Sequence, residues 1–368
     1  VDTNSVVIKA GTADFIAVAF YRVGYRPRES LVTVGLTGPR HQLGVVCRVD
    51  LPPARHRRAV VDSVLRMLRR EGHDQLAALI VSDAEPPPGA AGAIRLPHRA
   101  LVRELERRAR RRGLSVLDVF AVNSSHWRSY RCPDATCCPA QGYDLEAALT
   151  GPAAARLIAE GCVLAPDEAA LLADVDPRSP SVNAASVNAA SVDAVSVDAV
   201  SVDAASTLNR WRALLADPTA VGTDDLAWLV EALDDHWLRD AVLLTLVPGA
   251  GTVPEEVLAG ADPAVMENVF ESVPDLDLLE RGRVLLSAVA RSAPPGRRAD
   301  ALALLAWAAW FAGHGSRGRL LAERALADSP THRLARLVDQ LLSLGVPPTW
   351  VERQREGEGR AAPAPRRC

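Results

Sequence analysis

Extended and helical patterns alternate along this chain only as far as residue 131, and from Gly151 onward every periodic segment is helical. That asymmetry restricts the fold to an α/β N-terminal domain with a mixed sheet, followed by an all-helical C-terminal domain. Alternating strands and helices build a sheet with helical crossovers, whereas a run of helices can only pack on itself. With 368 residues there is chain enough for two buried cores.

In the first part, Phe15, Ile16, Ala19, Phe20 and Val23 recur at helical spacing after Thr12, and Gly24 with Pro27 ends the run. Leu31 to Leu36 and Leu43 to Val49 read as strands joined by a loop whose Gly and Pro suit a hairpin. Pro52 and Pro53 are predicted to open a helix reaching Arg70. Leu76 to Ser82 is a short continuous apolar run, the pattern of a strand buried on both faces. A helix from Pro97 to Arg112 and a closing hairpin, Leu114 to Val122 with His126 to Arg131, complete a mixed sheet with at least two helical crossovers.

The predicted organisation is an α/β domain over 1–150 and a helical connection over 151–180. A pentapeptide repeat over 181–206 (SVNAA, SVNAA, SVDAV, SVDAV, SVDAA), a helical domain over 207–350 and a polar tail over 351–368, expected to be disordered, follow. A period of five fits neither helix nor strand, and its small residues offer little core, so the repeat is expected to be a loosely packed or disordered insertion. The tryptophans at 211, 228, 237, 307 and 310 fall among Leu and Ala on helical segments, where large rings fill gaps in a core.

Composition bears on partners. Hydrophobic residues at 48% and charged residues at 24% are those of a folded globular chain, and a net charge of -3 creates no field that would draw in nucleic acid. Lys9 is the only lysine beside 41 arginines spread along the whole chain, so arginine richness is not a nucleic-acid signal here. The start has no leader-like pattern, and the most apolar run, Ala301 to Gly313, is too short to span a membrane, so no membrane association is expected. The expectation is a soluble cytoplasmic protein with reduced thiols.

The stretch SYRCPDATCCPAQG concentrates Cys132, Cys137 and Cys138 just past the last hairpin strand, at the rim of the predicted sheet. Thiolates bind zinc, and these three make a candidate metal set whose fourth ligand would come from His126, Asp134, Cys47 or Cys162. The competing reading is a compact turn whose cysteines pack as small hydrophobes beside Trp127 and Tyr130. No cofactor is expected, with zinc as the alternative, and a redox role lacks a Cys-x-x-Cys motif. Trp127, Tyr130 and Asp118 are candidate ligand-binding residues at the same rim. The arginines of the Pro97 to Arg112 helix read as a solvated face interrupted by Glu104 and Glu106. Ser124, Ser125 and His126 near Asp118 lack the strand-turn-helix elbow of a serine nucleophile, and no phosphate-binding loop is present.

The segments ADFIAVAFYRVGYRPRESLVTVGL, CRVDLP, WRSYRCPDATCCPAQG and LLAWAAWFAGHG together resemble the bacterial family described as domain of unknown function 4192. The resemblance implies a bacterial, cytoplasmic protein and brings no catalytic residues with it. Residues 302–330 also resemble one degenerate tetratricopeptide hairpin, with Ala306 as its small residue and Gly313 ending its first helix. The function expected is a non-enzymatic interaction or regulatory protein that meets another protein through its helical domain. The alternative is an enzyme or small-ligand-binding domain, with zinc as an optional ligand, whose site lies at the sheet rim near the cysteine loop.

Overall fold

The structure, a computed structural model, describes residues 11–85, 96–134, 136–177, 204–261, 269–351 and 353. The chain divides into two compact units, the first ending at Leu171 and the second beginning at Leu172. The pentapeptide repeat, apart from its last three residues, and the tail lie outside the described residues.

The first unit opens with helix α1 (Thr12–Val23), closed by the left-handed Gly24, and continues with strands β1 (Ser30–Thr37) and β2 (Gln42–Asp50). Helix α2 (Arg57–Arg70), strand β3 (Gln75–Val81), helix α3 (Arg99–Arg111) and strands β4 (Ser115–Val122), β5 (His126–Ser129) and β6 (Tyr143–Asp144) follow. The six strands form one mixed sheet in the order β2-β1-β3-β4-β5-β6. β1 is antiparallel to both neighbours, β3 and β4 are parallel, and β5 and β6 add antiparallel pairs at the far edge. α2 carries the chain across β1 to β3, and α3 joins the parallel pair, which gives the two predicted crossovers.

β3 is buried on both faces, as its unbroken apolar run predicts. Leu76, Ala78 and Ile80 join Val61, Leu65 and Leu68 of α2 and Leu101 and Leu105 of α3 in one core, while Ala77, Leu79 and Val81 alternate to the opposite face. There α1 covers the sheet, its Phe15 ring 6.0 Å from that of Phe120 on β4. Among the described residues, no helix is long and apolar enough to cross a membrane.

Two boundaries differ from the sequence reading. Helix α2 starts at Arg57 rather than at the prolines, because Pro52 and Pro53 form a lead-in turn in which the Pro53 carbonyl accepts the N–H groups of His56 and Arg57. Helices α4 (Leu145–Leu149), α5 (Pro152–Ala159) and α6 (Glu168–Leu171), the last two expected as a connection, belong to the first unit. The reason is a shared apolar surface: Ala154 and Leu157 of α5 pack on Ala17, Val18 and Tyr21 of α1. Ala165 also exchanges backbone hydrogen bonds with Gly24 and Arg26.

The second unit consists of α7 (Ala204–Ala216), α8 (Thr223–Ala232), α9 (His236–Thr245), α10 (Val253–Leu258), α11 (Leu276–Ser292), α12 (Ala299–Phe311), α13 (Gly315–Asp328) and α14 (Arg333–Ser343). Every residue of α12 except Asp300 and Trp310 is buried, with α11, α13 and α14 packed about it. A side chain on Gly318 of α13 would come within 3.0 Å of the Ala306 carbonyl, so the two backbones meet closely in this hairpin. Trp211 and Trp307 are buried as predicted, whereas Trp237 is 40% exposed at the start of α9. Trp350 closes on the preceding helices by donating Nε1–H to the Phe311 carbonyl at 2.9 Å.

Candidate functional site

The cysteine turn hangs between β5 and β6, at the sheet edge, and is tied down through backbone atoms. Ser129, the last residue of β5, donates to Asp118 Oδ1 at 2.8 Å and accepts the N–H groups of Arg131 at 3.0 Å and Cys132 at 3.2 Å. This is a serine-centred turn that swings the chain out of the strand. Asp134 Oδ1 accepts from the backbone and hydroxyl of Thr136, and the Asp134 carbonyl accepts from Cys138 N–H at 2.7 Å. Arg128, only 5% exposed, reaches across to the carbonyls of Pro139 at 2.9 Å and Ala140 at 3.2 Å. Gly142, with φ of 85°, lets the chain return: a Cβ there would lie 2.8 Å from the Trp127 carbonyl.

The consequence is convergence of three sulfurs. The Sγ atoms of Cys132, Cys137 and Cys138 all lie within 4.8 Å of one another, with Cys138 buried, Cys132 half-buried and Cys137 exposed. Hydrogen bonding from Cys138 and from the Asp134 backbone holds the Cys132 thiol below its ordinary value. Burial pushes Cys138 up to about 11. Hydrogen bonding to Cys132 and that thiol's charge raise Cys137. One thiolate forms most readily, and a cation among the sulfurs would draw out the other protons.

Three thiolates at about 2.3 Å from a tetrahedral zinc stand roughly 3.8 Å apart, so the turn needs to close only slightly to meet that geometry. Among the described residues the group holds these three sulfurs alone, and none of His126, Asp134, Cys47 or Cys162 joins it; Cys162 is disulfide-bonded, which departs from the reduced thiols expected and removes it as a ligand. Asp134, whose carboxylate already accepts two bonds from Thr136, stays below its ordinary value for that reason.

The proposed ligand-binding trio is not brought together. Trp127 stacks on Tyr143 at 4.7 Å and edge-on against Phe120, on the α1 side of the sheet. Asp118 is bound to Ser129, and burial raises its carboxyl above the ordinary range. Tyr130 sits on the opposite face in the α2–α3 core, its hydroxyl donating to the Pro97 carbonyl at 2.6 Å. The alternation of β5 separates it from Trp127.

Sequence reasoning missed a second polar cluster, at the carboxyl end of β3. The buried Ser82 hydroxyl donates to Glu29 Oε1 at 2.8 Å, accepts the Ala84 N–H at 3.1 Å and stands 3.0 Å from His98 Nε2. With its proton given to Glu29, Ser82 receives the one on His98 Nε2. Glu29 and His98 are two of the three described non-glycine residues with positive φ, at 40° and 57°. No motif marks them; the only sequence signal is the polar Ser82 closing the apolar run that begins at Leu76. All lone pairs of this serine are engaged, so the cluster is a latch that fixes where α3 begins.

The fold and the rim site together define a protein of two units, α/β and helical, with a thiol-lined turn at the edge of its sheet. The chain belongs to the family described as Domain of unknown function (DUF4192), whose model matches residues 13–349. No curated protein and no solved structure matches it.

Proposed function

We propose that this chain is a non-enzymatic metal-binding protein that holds a thiophilic divalent cation, zinc foremost, on Cys132, Cys137 and Cys138. The single observation behind this reading is the convergence of three sulfurs within 4.8 Å on a turn pinned by backbone hydrogen bonds. A set of three protein ligands leaves the fourth position to water or an external ligand, the arrangement of an open rather than a closed structural site. The reading needs only that these three thiols stay unpaired, as they are in the structure, since only free thiols can take up the cation.

The test is metal analysis of protein purified under reducing conditions. One zinc per chain in the wild type, lost in Cys137→Ser, supports the reading; a wild type without bound metal after zinc loading and desalting overturns it. Cys137 is exposed, so its substitution leaves the fold intact.

A second reading, self-association through the helical unit, is favoured by Leu337 and Leu344 of the α14 region, 52% and 64% exposed and seven residues apart on one side. Sedimentation should show dimers that the double variant Leu337→Glu, Leu344→Glu abolishes; a wild type monomeric at high concentration ends this reading.

A further inference from the structure

On the α3 side of the sheet edge lies a hollow of about 160 Å³ lined by Arg99, Val102, Arg103, Glu106, Tyr130 and Arg131. We propose that it binds a phosphate group, either free inorganic phosphate or the terminal phosphate of a small phosphomonoester. This site is separate from the three thiols and does not depend on their binding metal.

Charge balance is the first argument. Three guanidinium groups and one carboxylate line this hollow, whereas Arg107 and Arg108 of α3 and the following Arg112 are each neutralised by a carboxylate. Arg107 and Arg108 pair with Glu104, and Arg108 and Arg112 with Asp62. Arg99 and Arg103, four residues apart and so on one side of the helix, have no carboxylate within 4.0 Å among the described residues. Planar guanidinium groups match the oxygens of phosphate pairwise, which makes such a set the natural receptor for that dianion.

Rigidity is the second. Arg131 is held by its own hydrogen bonds to the Val116 and Leu117 carbonyls, at 2.5 and 2.9 Å, and its Nε lies 3.3 Å from Glu106. The Tyr130 ring is a fixed wall, its hydroxyl spent on Pro97. The latch of Ser82 and His98 fixes the residue just before Arg99. The wall formed by Arg131 and Tyr130 is therefore already ordered before a phosphate arrives.

Size is the third. The hollow is well below the ~300 Å³ at which pockets for drug-sized ligands begin, so it takes one charged group and leaves any remaining part of the ligand outside.

Calorimetric titration of the full chain at low salt, with inorganic phosphate in one arm and adenosine monophosphate in the other, tests the proposal. One saturable site is expected, weakened about tenfold or more by Arg99→Gln or Arg103→Gln, since each removes charge-assisted hydrogen bonds. Glu106→Gln should tighten binding by removing the opposing charge, and Arg110→Gln, exposed on α3 but outside the hollow, should leave it unchanged. Equal affinity in the two arms assigns the site to phosphate itself, and tighter nucleotide binding assigns it to a phosphomonoester. Absence of saturable binding in both arms, or an equal loss in Arg110→Gln, overturns the proposal.

Discussion

The imidazole of His73 occupies the room that a side chain on Gly44 would need: a Cβ built there would lie 1.9 Å from His73 Cε1. Gly35, on the neighbouring strand, is closed off in the same way at 2.2 Å from Cδ2. His73 Nε2 accepts the Val45 N–H at 3.2 Å, so the proton sits on Nδ1 and is donated to Thr37 Oγ1 at 2.8 Å. One buried ring thus ties β1 and β2 to the segment that leads into β3. Gly44→Ala should cost about 1–3 kcal/mol by overpacking, measured by denaturant unfolding. In a His73→Ala background the same change should cost clearly less, because the obstacle is gone. Additive losses would show that the ring is not the obstacle.

Metal affinity at the thiol turn should weaken as pH falls. Each sulfur must lose its proton to bind, and Cys137 and Cys138 lie above their ordinary value, so protons compete strongly through the neutral range. Competition titrations with a chromophoric chelator should show zinc affinity falling by about tenfold per protonated thiol for each pH unit. A flat profile between pH 6 and pH 8 would exclude thiolate ligation.

Arg128→Met should loosen the turn without unfolding the first unit. The substitution keeps the aliphatic stem and removes the bonds to the Pro139 and Ala140 carbonyls. Bonds from a charged donor are worth about 1.5–3 kcal/mol, so zinc affinity should fall by tenfold or more while the unfolding midpoint moves little. Unchanged affinity would show that the turn holds its shape without Arg128.

In the second unit Asp174 should mark the acid limb of stability. Burial alone would raise its carboxyl, but hydrogen bonds from Arg317 at 2.7 Å and from Arg283 overcome that and leave it below the ordinary range. A depressed folded value means the stabilisation is present above the unfolded pKa, near ~3.9, and is lost as pH falls through the folded value. Asp174→Asn should therefore cost about 1–3 kcal/mol at pH 7. The gap between variant and wild type should close below about pH 4, as followed by thermal unfolding across pH.

Much of the architecture was legible because it rests on local periodicity. The apolar run at Leu76 and the helical spacing after Thr12 each describe a face that must be buried, and the structure buries it. β6 was not legible, since two residues, Tyr143 and Asp144, carry no period, and the pairing that defines them comes from β5. At the site, the cysteines announced themselves by spacing. The separation of Trp127 from Tyr130 also follows from strand alternation, because residues three apart on a strand face opposite ways. The latch at Ser82 could not be read: Glu29, Ser82 and His98 are far apart in sequence, and only the antiparallel pairing of β1 with β3, which sets Ser30 opposite Val81, together with the return of the chain into α3, brings them together.

The enclosure of α12 sets the second unit apart from a linear array of stacked repeats. In such arrays each hairpin leans only on its neighbours, so terminal units can be trimmed and the remainder survives. A central rod wrapped by α11, α13 and α14 has no solvent-facing side on which it could stand exposed. Truncation before α13 would strip the cover from an almost wholly apolar surface, so the second unit should melt as one cooperative block rather than fray from its end.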